Sequence, residues 1–187
     1  MKQRQTIDNV NQEEKIVIAT AAETLGEVRV LCHQVRAIHW VVQQNVNGLT
    51  QEESLIQPQP AGNCLNWNVG HLLCVYDQML PMLGQTPVFG ADTLKRYGRG
   101  TAPLQNAGEA LDLALLMTAW NEAAKRMEAG LESLTPEALD QPAPWSPTDN
   151  PKETVGSLVS TVLFHQAYHT GQTGLLRRMA GKEGALK

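Results

Sequence analysis

The chain of 187 residues is 42% hydrophobic and 18% charged, with a net charge of −4 at pH 7, which predicts a single domain, residues 1–187, able to bury its own core. An acidic balance without a sustained Lys/Arg cluster argues against nucleic acid or an anionic membrane as the main partner. No apolar run approaches the ~20 residues of a membrane span, and the polar start MKQRQTIDNVNQEEK shows no secretory signal. Cys32, Cys64 and Cys74 are odd in number and form no CxxC, so free thiols and a cytoplasmic location are expected.

Helical periodicity dominates. Val28, Leu31, Val35, Ile38 and Val42 fall on one stripe, predicting a first helix over 12–46. Asn11 with Glu14 forms a capping-box pattern at its start, and Asn47-Gly48 is a stop signal. Gly26 weakens the helix internally. After the loop LTQEESLIQPQPAGNC, a second helix is expected from Asn66 to Leu83, kinked or frayed by Pro81. A long connection, GQTPVFGADTLKRYGRGTAPLQ, leads to a third helix from Asn106, capped with Glu109, to Leu134. Beyond the proline-dense TPEALDQPAPWSPTDNP, a fourth helix opens at Asn150, Pro151 and Glu153 and runs to Ala180. The tail GKEGALK is expected to be loose. No strand alternation stands out, so the fold class is all-α, a four-helix bundle. The long second connection predicts that helices 2 and 3 run parallel, joined by a crossover.

Two of five histidines lie in FHQAYHTGQ. On a helix, Leu158, Thr161, His165, His169, Gln172 and Leu176 share a face, with Phe164, Tyr168 and Leu175 beside it. A buried imidazole needs partners for both nitrogens, and a pair at i and i+4 can chelate one ion. The zinc-protease version of this spacing has Glu after the first His. Here that residue is Gln166, so no carboxylate base is present. A di-iron bundle would want Glu-x-x-His on two helices, which the chain lacks. A third ligand could be His71, which shares a face with Trp67, Cys74 and Gln78, or His39, at the edge of the first helix's stripe. Spacing leaves these two open. His33 falls with Arg29, Arg36 and Trp40 and reads as exposed.

At these residues the chain resembles the DinB/YfiT-like superfamily of metalloenzymes. The resemblance rests on GLTQEESLIQPQPAGNCLNWNVGHLL, on FHQAYHTGQ as a His-x-x-x-His-x-x-Gln signature, and on the long second-to-third connection, and spans about Glu23 to Met179. It implies an up-down-down-up bundle and a metal, zinc or nickel, held by His71, His165 and His169, which decides against His39. It also implies a small-molecule substrate, a low-molecular-weight thiol such as bacillithiol or mycothiol, and a homodimer.

The expected function is therefore a metal-dependent thiol S-transferase, since three neutral imidazoles leave a coordination position open. A metal-dependent hydrolase is the neighbouring reading. A non-catalytic, stress-associated metal-binding bundle is the third, favoured if Cys74 or His39 supplied a fourth ligand. Gln172 is expected to orient a histidine ring or a ligand. Tyr168 is expected either to donate to substrate or to pack between helices, and Trp67 and Trp145 to pack the bundle end or wall a pocket.

Overall fold

A computed structural model describes residues 26–186; the expected helix start at residue 12 and its Asn11–Glu14 cap lie outside them. Among the described residues there are seven α-helices and no strand, only an isolated antiparallel bridge between Pro142 and Thr154. Helix α1 covers 26–46, and all five residues of its expected stripe are buried. Gly48, at φ +75°, turns the chain away from its end, a left-handed conformation that glycine takes without steric cost.

The loop that follows holds a short helix, α2, Gln51–Ser54, closed by a Thr50–Glu53 capping box. The signal Thr-x-x-Glu was present in the sequence. Helix α3, Leu65–Met79, buries every residue except Val75 and Gln78, the pattern of a helix covered on all sides. Pro81 does not break it outright. It sits at the start of a 3₁₀ turn, Leu80–Leu83, that carries on from α3.

The long connection is structured. It contains α4, Ala91–Leu94, and 3₁₀ turns at Lys95–Tyr97 and Ala107–Glu109. The Asp77 carboxylate anchors its start, accepting from the amides of Val88 and Phe89 at 2.7 Å each. The third long helix, α5, is Leu113–Glu132, not 106–134. Asn106 and Glu109 do bond locally, but Arg96 engages the Glu109 carboxylate and holds it in the loop. Ala110 is extended, and Asp112 caps α5 through the amide of Leu115.

A short helix α6, Pro136–Leu139, follows. Helix α7 is Val155–Met179, later than the Asn150 start expected. The Glu153 carboxylate turns to the hydroxyls of Ser146 and Ser157, so it is not the reciprocal cap. Thr154 and Ser157 form the capping box instead. The tail is tied rather than loose: Lys182 Nζ meets Glu53 Oε1 at 2.8 Å, and Arg177 Nε donates to Glu183 O at 2.8 Å.

Side chains of α1, α3, α5 and α7 join in one apolar core, with α3 packed on both α5 and α7. Asn66 with Leu111, the Tyr76 ring with Trp120, and Leu83 with Gly130 pair α3 and α5 in the same direction along both segments. His71 with His165 and Asn68 with His169 pair α3 and α7 in opposite directions. No helix among the described residues is long and apolar enough to cross a membrane.

Candidate metal centre

The stretch Asn66–His71 on α3 builds one side of the site. Gly70 leaves room for the Tyr97 ring: a Cβ there would lie 2.2 Å from Tyr97 Cδ1, a distance no real contact tolerates. The ring is fixed at its far end, where Tyr97 Oη donates to Asn66 Oδ1 at 3.0 Å and accepts from the Leu111 amide at 2.7 Å. Held there, the Tyr97 carbonyl accepts from His71 Nδ1 at 2.7 Å. A carbonyl can only accept, so Nδ1 carries the proton and Nε2 presents a bare lone pair. Trp67 stacks on the His71 ring at 4.7 Å and donates from Nε1 to Thr101 Oγ1 at 3.1 Å.

Asn68 sets the second imidazole. Its Nδ2 donates to the carbonyls of Asn63 and Cys64, at 3.1 and 2.9 Å. That assigns its oxygen to the other side, where His169 Nδ1 lies at 3.2 Å. Gln172 Oε1 is 2.7 Å from the same nitrogen. Two acceptors on Nδ1 make it the protonated atom and leave His169 Nε2 free.

The third imidazole brings the conflict that a cation would resolve. His165 Nε2 lies 3.3 Å from His71 Nε2, which cannot donate. If His165 donated from Nε2, its buried Nδ1 would be a bare acceptor, and that atom has no hydrogen-bond partner. With the proton on Nδ1, two lone pairs would face each other. Neither tautomer satisfies the ring. A shared cation would: ligand nitrogens ~2.0–2.1 Å from a tetrahedral zinc stand ~3.3 Å apart. The candidate ligand atoms of His71, His165 and His169 all lie within 4.8 Å of one another, so the residues present fit a metal.

Electrostatics keeps the three rings neutral. Burial pushes the His71 pKa down, opposed by the Tyr97 carbonyl. Burial and the neighbouring His71 lower His169, opposed by Gln172. His165 falls to about 4, through burial first, then the charges of His169, His71 and Arg99, opposed by the Gln166 side chain. Neutral imidazole is the form that ligates a cation.

The structure brings Trp67 and Gln172 to the three histidines, sets Tyr168 beside His169 at the rim and leaves the others apart. His39 bonds Asn121 Oδ1 at 2.9 Å, between α1 and α5. Cys74 is buried beside Gln78 and is not part of the three-histidine group. His33 is exposed. Tyr168 does not pack between helices: it is 61% exposed, with its ring edge-on to His169 at 5.2 Å. Trp145 is exposed too. The core-facing stripe of α7 is also rotated from the one expected. Leu158, Val159, Val162, Gln166, Thr170 and Thr173 are buried, whereas His165, His169 and Gln172 lie at the edge of that face.

Sequence reasoning missed Asn68, Tyr97 and Gln166. Asn68 was legible in hindsight, one turn from His71 in NWNVGH. Tyr97 had no local signal, since it reaches α3 through the long connection. Gln166, set aside for lacking a carboxylate, is fully buried and donates to the Leu72 carbonyl at 2.9 Å, joining α7 to α3.

None of the curated proteins matches the chain. Among solved structures it is similar to a conserved protein from Enterococcus faecalis, with a TM-score of 0.64 and 16% identity over 82% of this chain and 97% of that one. That likeness is one of fold. The family model of the DinB superfamily matches residues 39–173, which contain α3, α5 and all three clustered histidines. The chain belongs to the DinB superfamily.

Proposed function

We propose that this protein is a DinB-like metalloenzyme, one domain folded as an up-down-down-up four-helix bundle, that transfers a low-molecular-weight thiol to a small electrophilic substrate. The paired contacts support the bundle reading: α3 and α5 side by side in one direction, α7 against α3 in the other. The observation that carries the functional reading is the donor set. His71, His165 and His169 come together with two rings already locked as Nδ1–H tautomers. No carboxylate or thiol joins them among the described residues. Three neutral protein ligands without a fourth is the pattern of a catalytic rather than a structural site.

A zinc or nickel ion held there would lower the pKa of a thiol, or of water, at the remaining position. The chain's own residues do the rest. Tyr97, Asn68 and Gln172 fix ring orientation and raise ligand basicity. Trp67 shields one face of His71. His165 and His169 stand at the edge of the α7 core face, so a ligand approaches from the side where Tyr168 stands exposed. Three buried thiols and no disulfide are compatible with a cytoplasmic setting. We place the protein there as a homodimer.

The test is conjugation of an electrophile with a panel of cellular thiols, using protein reconstituted with zinc or nickel. Turnover that disappears on chelation and in His165→Ala supports the reading. Metal-dependent hydrolysis without thiol conjugation moves the assignment to a hydrolase. Stoichiometric metal with neither activity moves it to a metal-binding role.

A further inference from the structure

Arg99 lies on the loop that is bonded to the histidine cluster. The backbone that carries it is clamped to the site on both sides. Two residues before it, the Tyr97 carbonyl accepts from His71 Nδ1 at 2.7 Å; two residues after it, Thr101 Oγ1 accepts from Trp67 Nε1 at 3.1 Å. Thr101 is held in turn by the carbonyls of Arg96 and Gly98, each 3.0 Å from its hydroxyl. The loop therefore cannot drift from the histidines without breaking bonds to two of the residues that build the site.

Its neighbour Arg96 is spent internally, on Glu109 and on the carbonyls of Ala102 and Pro103. Arg99 is exposed and meets no carboxylate among the described residues. No carboxylate joins the three histidines among the described residues. A divalent cation on three neutral ligands, with an arginine on the loop that is bonded to His71 and Trp67, is a site with a large uncompensated positive charge. An exposed arginine at such a place is a planar fork suited to an oxyanion.

We infer that Arg99 is the subsite for an anionic group, a carboxylate or a phosphate, carried by the thiol that this site takes. The ligand then offers two negative ends, sulfur toward the histidines and an oxyanion toward the 97–101 loop. This rests on the metal-site reading above and narrows it from thiols in general to acidic thiols.

The experiment uses full-length protein loaded with cobalt(II), whose absorbance reports sulfur binding directly. Matched ω-mercaptoalkanoates and ω-mercaptoalkanols of equal chain length are titrated into wild type, Arg99→Gln and Arg99→Lys. Wild type should favour the carboxylate member by roughly tenfold, the worth of one hydrogen bond to a charged group. That ratio should fall toward one in Arg99→Gln, with cobalt content unchanged, and should persist in part in Arg99→Lys. In ~1 M salt, where the Debye length is ~3 Å, the wild-type preference should shrink as well. A wild type without preference, or an Arg99→Gln variant that keeps it because the carboxylate chelates the metal, overturns the proposal and leaves the metal site standing. Failure of wild type to bind cobalt overturns both.

Discussion

On α3, His71 is 4% exposed; on α7, Phe164 beside His165 is 75% exposed and Tyr168 beside His169 is 61% exposed. The α3 side is a closed set of bonds. Asn66 fixes Tyr97, Tyr97 fixes His71, and Gly70 makes room for the ring that links them. The α7 side is a rim. His165 Nδ1 and Gln166 Oε1 are both buried without a partner of good hydrogen-bond geometry. Gln172 reaches His169 from one turn away on the same helix. The difference teaches that one wall of the site is closed by bonds within the fold, while the other leaves buried polar atoms open.

Substitutions can break this contrast, the largest effect coming from α3. In Gly70→Ala the added methyl overlaps the Tyr97 ring. Overpacking of this kind costs ~1–3 kcal/mol, so urea denaturation of metal-free protein should lose about that much. Metal affinity should fall too, because Tyr97 O moves from His71. The counterpart on α7 is Gly171, where a Cβ would meet nothing within 4 Å. Gly171→Ala, in an exposed helix position, should stabilise by up to ~1 kcal/mol through helix propensity and leave metal binding alone.

Tyr97→Phe removes the bonds to Asn66 and the Leu111 amide without changing shape. Leaving buried polar groups unpaired costs ~1–3 kcal/mol each, measurable in the same denaturation assay. Gln172→Ala should act in the opposite proportion. Losing one outer partner of a ligating histidine costs ~10-fold or more in metal affinity, read by competition with a chromophoric chelator. As Gln172 is only half-buried, stability should change by less than ~0.5 kcal/mol.

The contrast also carries a dependence on pH. His165 titrates at about 4 in the folded chain against 6.5 ordinarily, and His71 and His169 are shifted the same way. Between those values the unfolded chain binds more protons than the folded one. Stability of the metal-free protein should therefore be fully present above pH 6.5 and decline as pH falls toward 4. His165→Gln should flatten that slope in denaturation curves taken at successive pH values.

The sequence made the helices legible where apolar spacing was strong, as in Val28–Val42 and Asn66–Leu83. It misplaced helix starts where a capping pattern had a competitor. Asn106–Glu109 lost to Arg96, and Asn150–Glu153 lost to Thr154–Ser157, because the glutamates had better partners elsewhere in the fold. The histidine pair on α7 was legible from its spacing. Spacing did not choose His71 over His39, since both lie beside apolar stripes; the family resemblance did, and the packing of α3 against α7 brings His71 to the pair while His39 bonds Asn121. Tyr97 and Arg99 were out of reach because their roles depend on how a long connection folds back over α3. The α7 stripe was placed too far toward the histidines because Gln166, Thr170 and Thr173 are polar yet buried, with Gln166 paired with Leu72 O and Thr173 with Asn45.

The central claim is that His71, His165 and His169 bind one divalent ion together. The most direct measurement is the metal content of untagged protein, purified without chelator and reconstituted with zinc or nickel, beside His71→Ala and His165→Ala. The account predicts about one equivalent in wild type, as a three-ligand site demands, and a collapse of binding in both variants. Stoichiometric metal retained in His71→Ala, or wild-type protein that holds none after reconstitution, would contradict it.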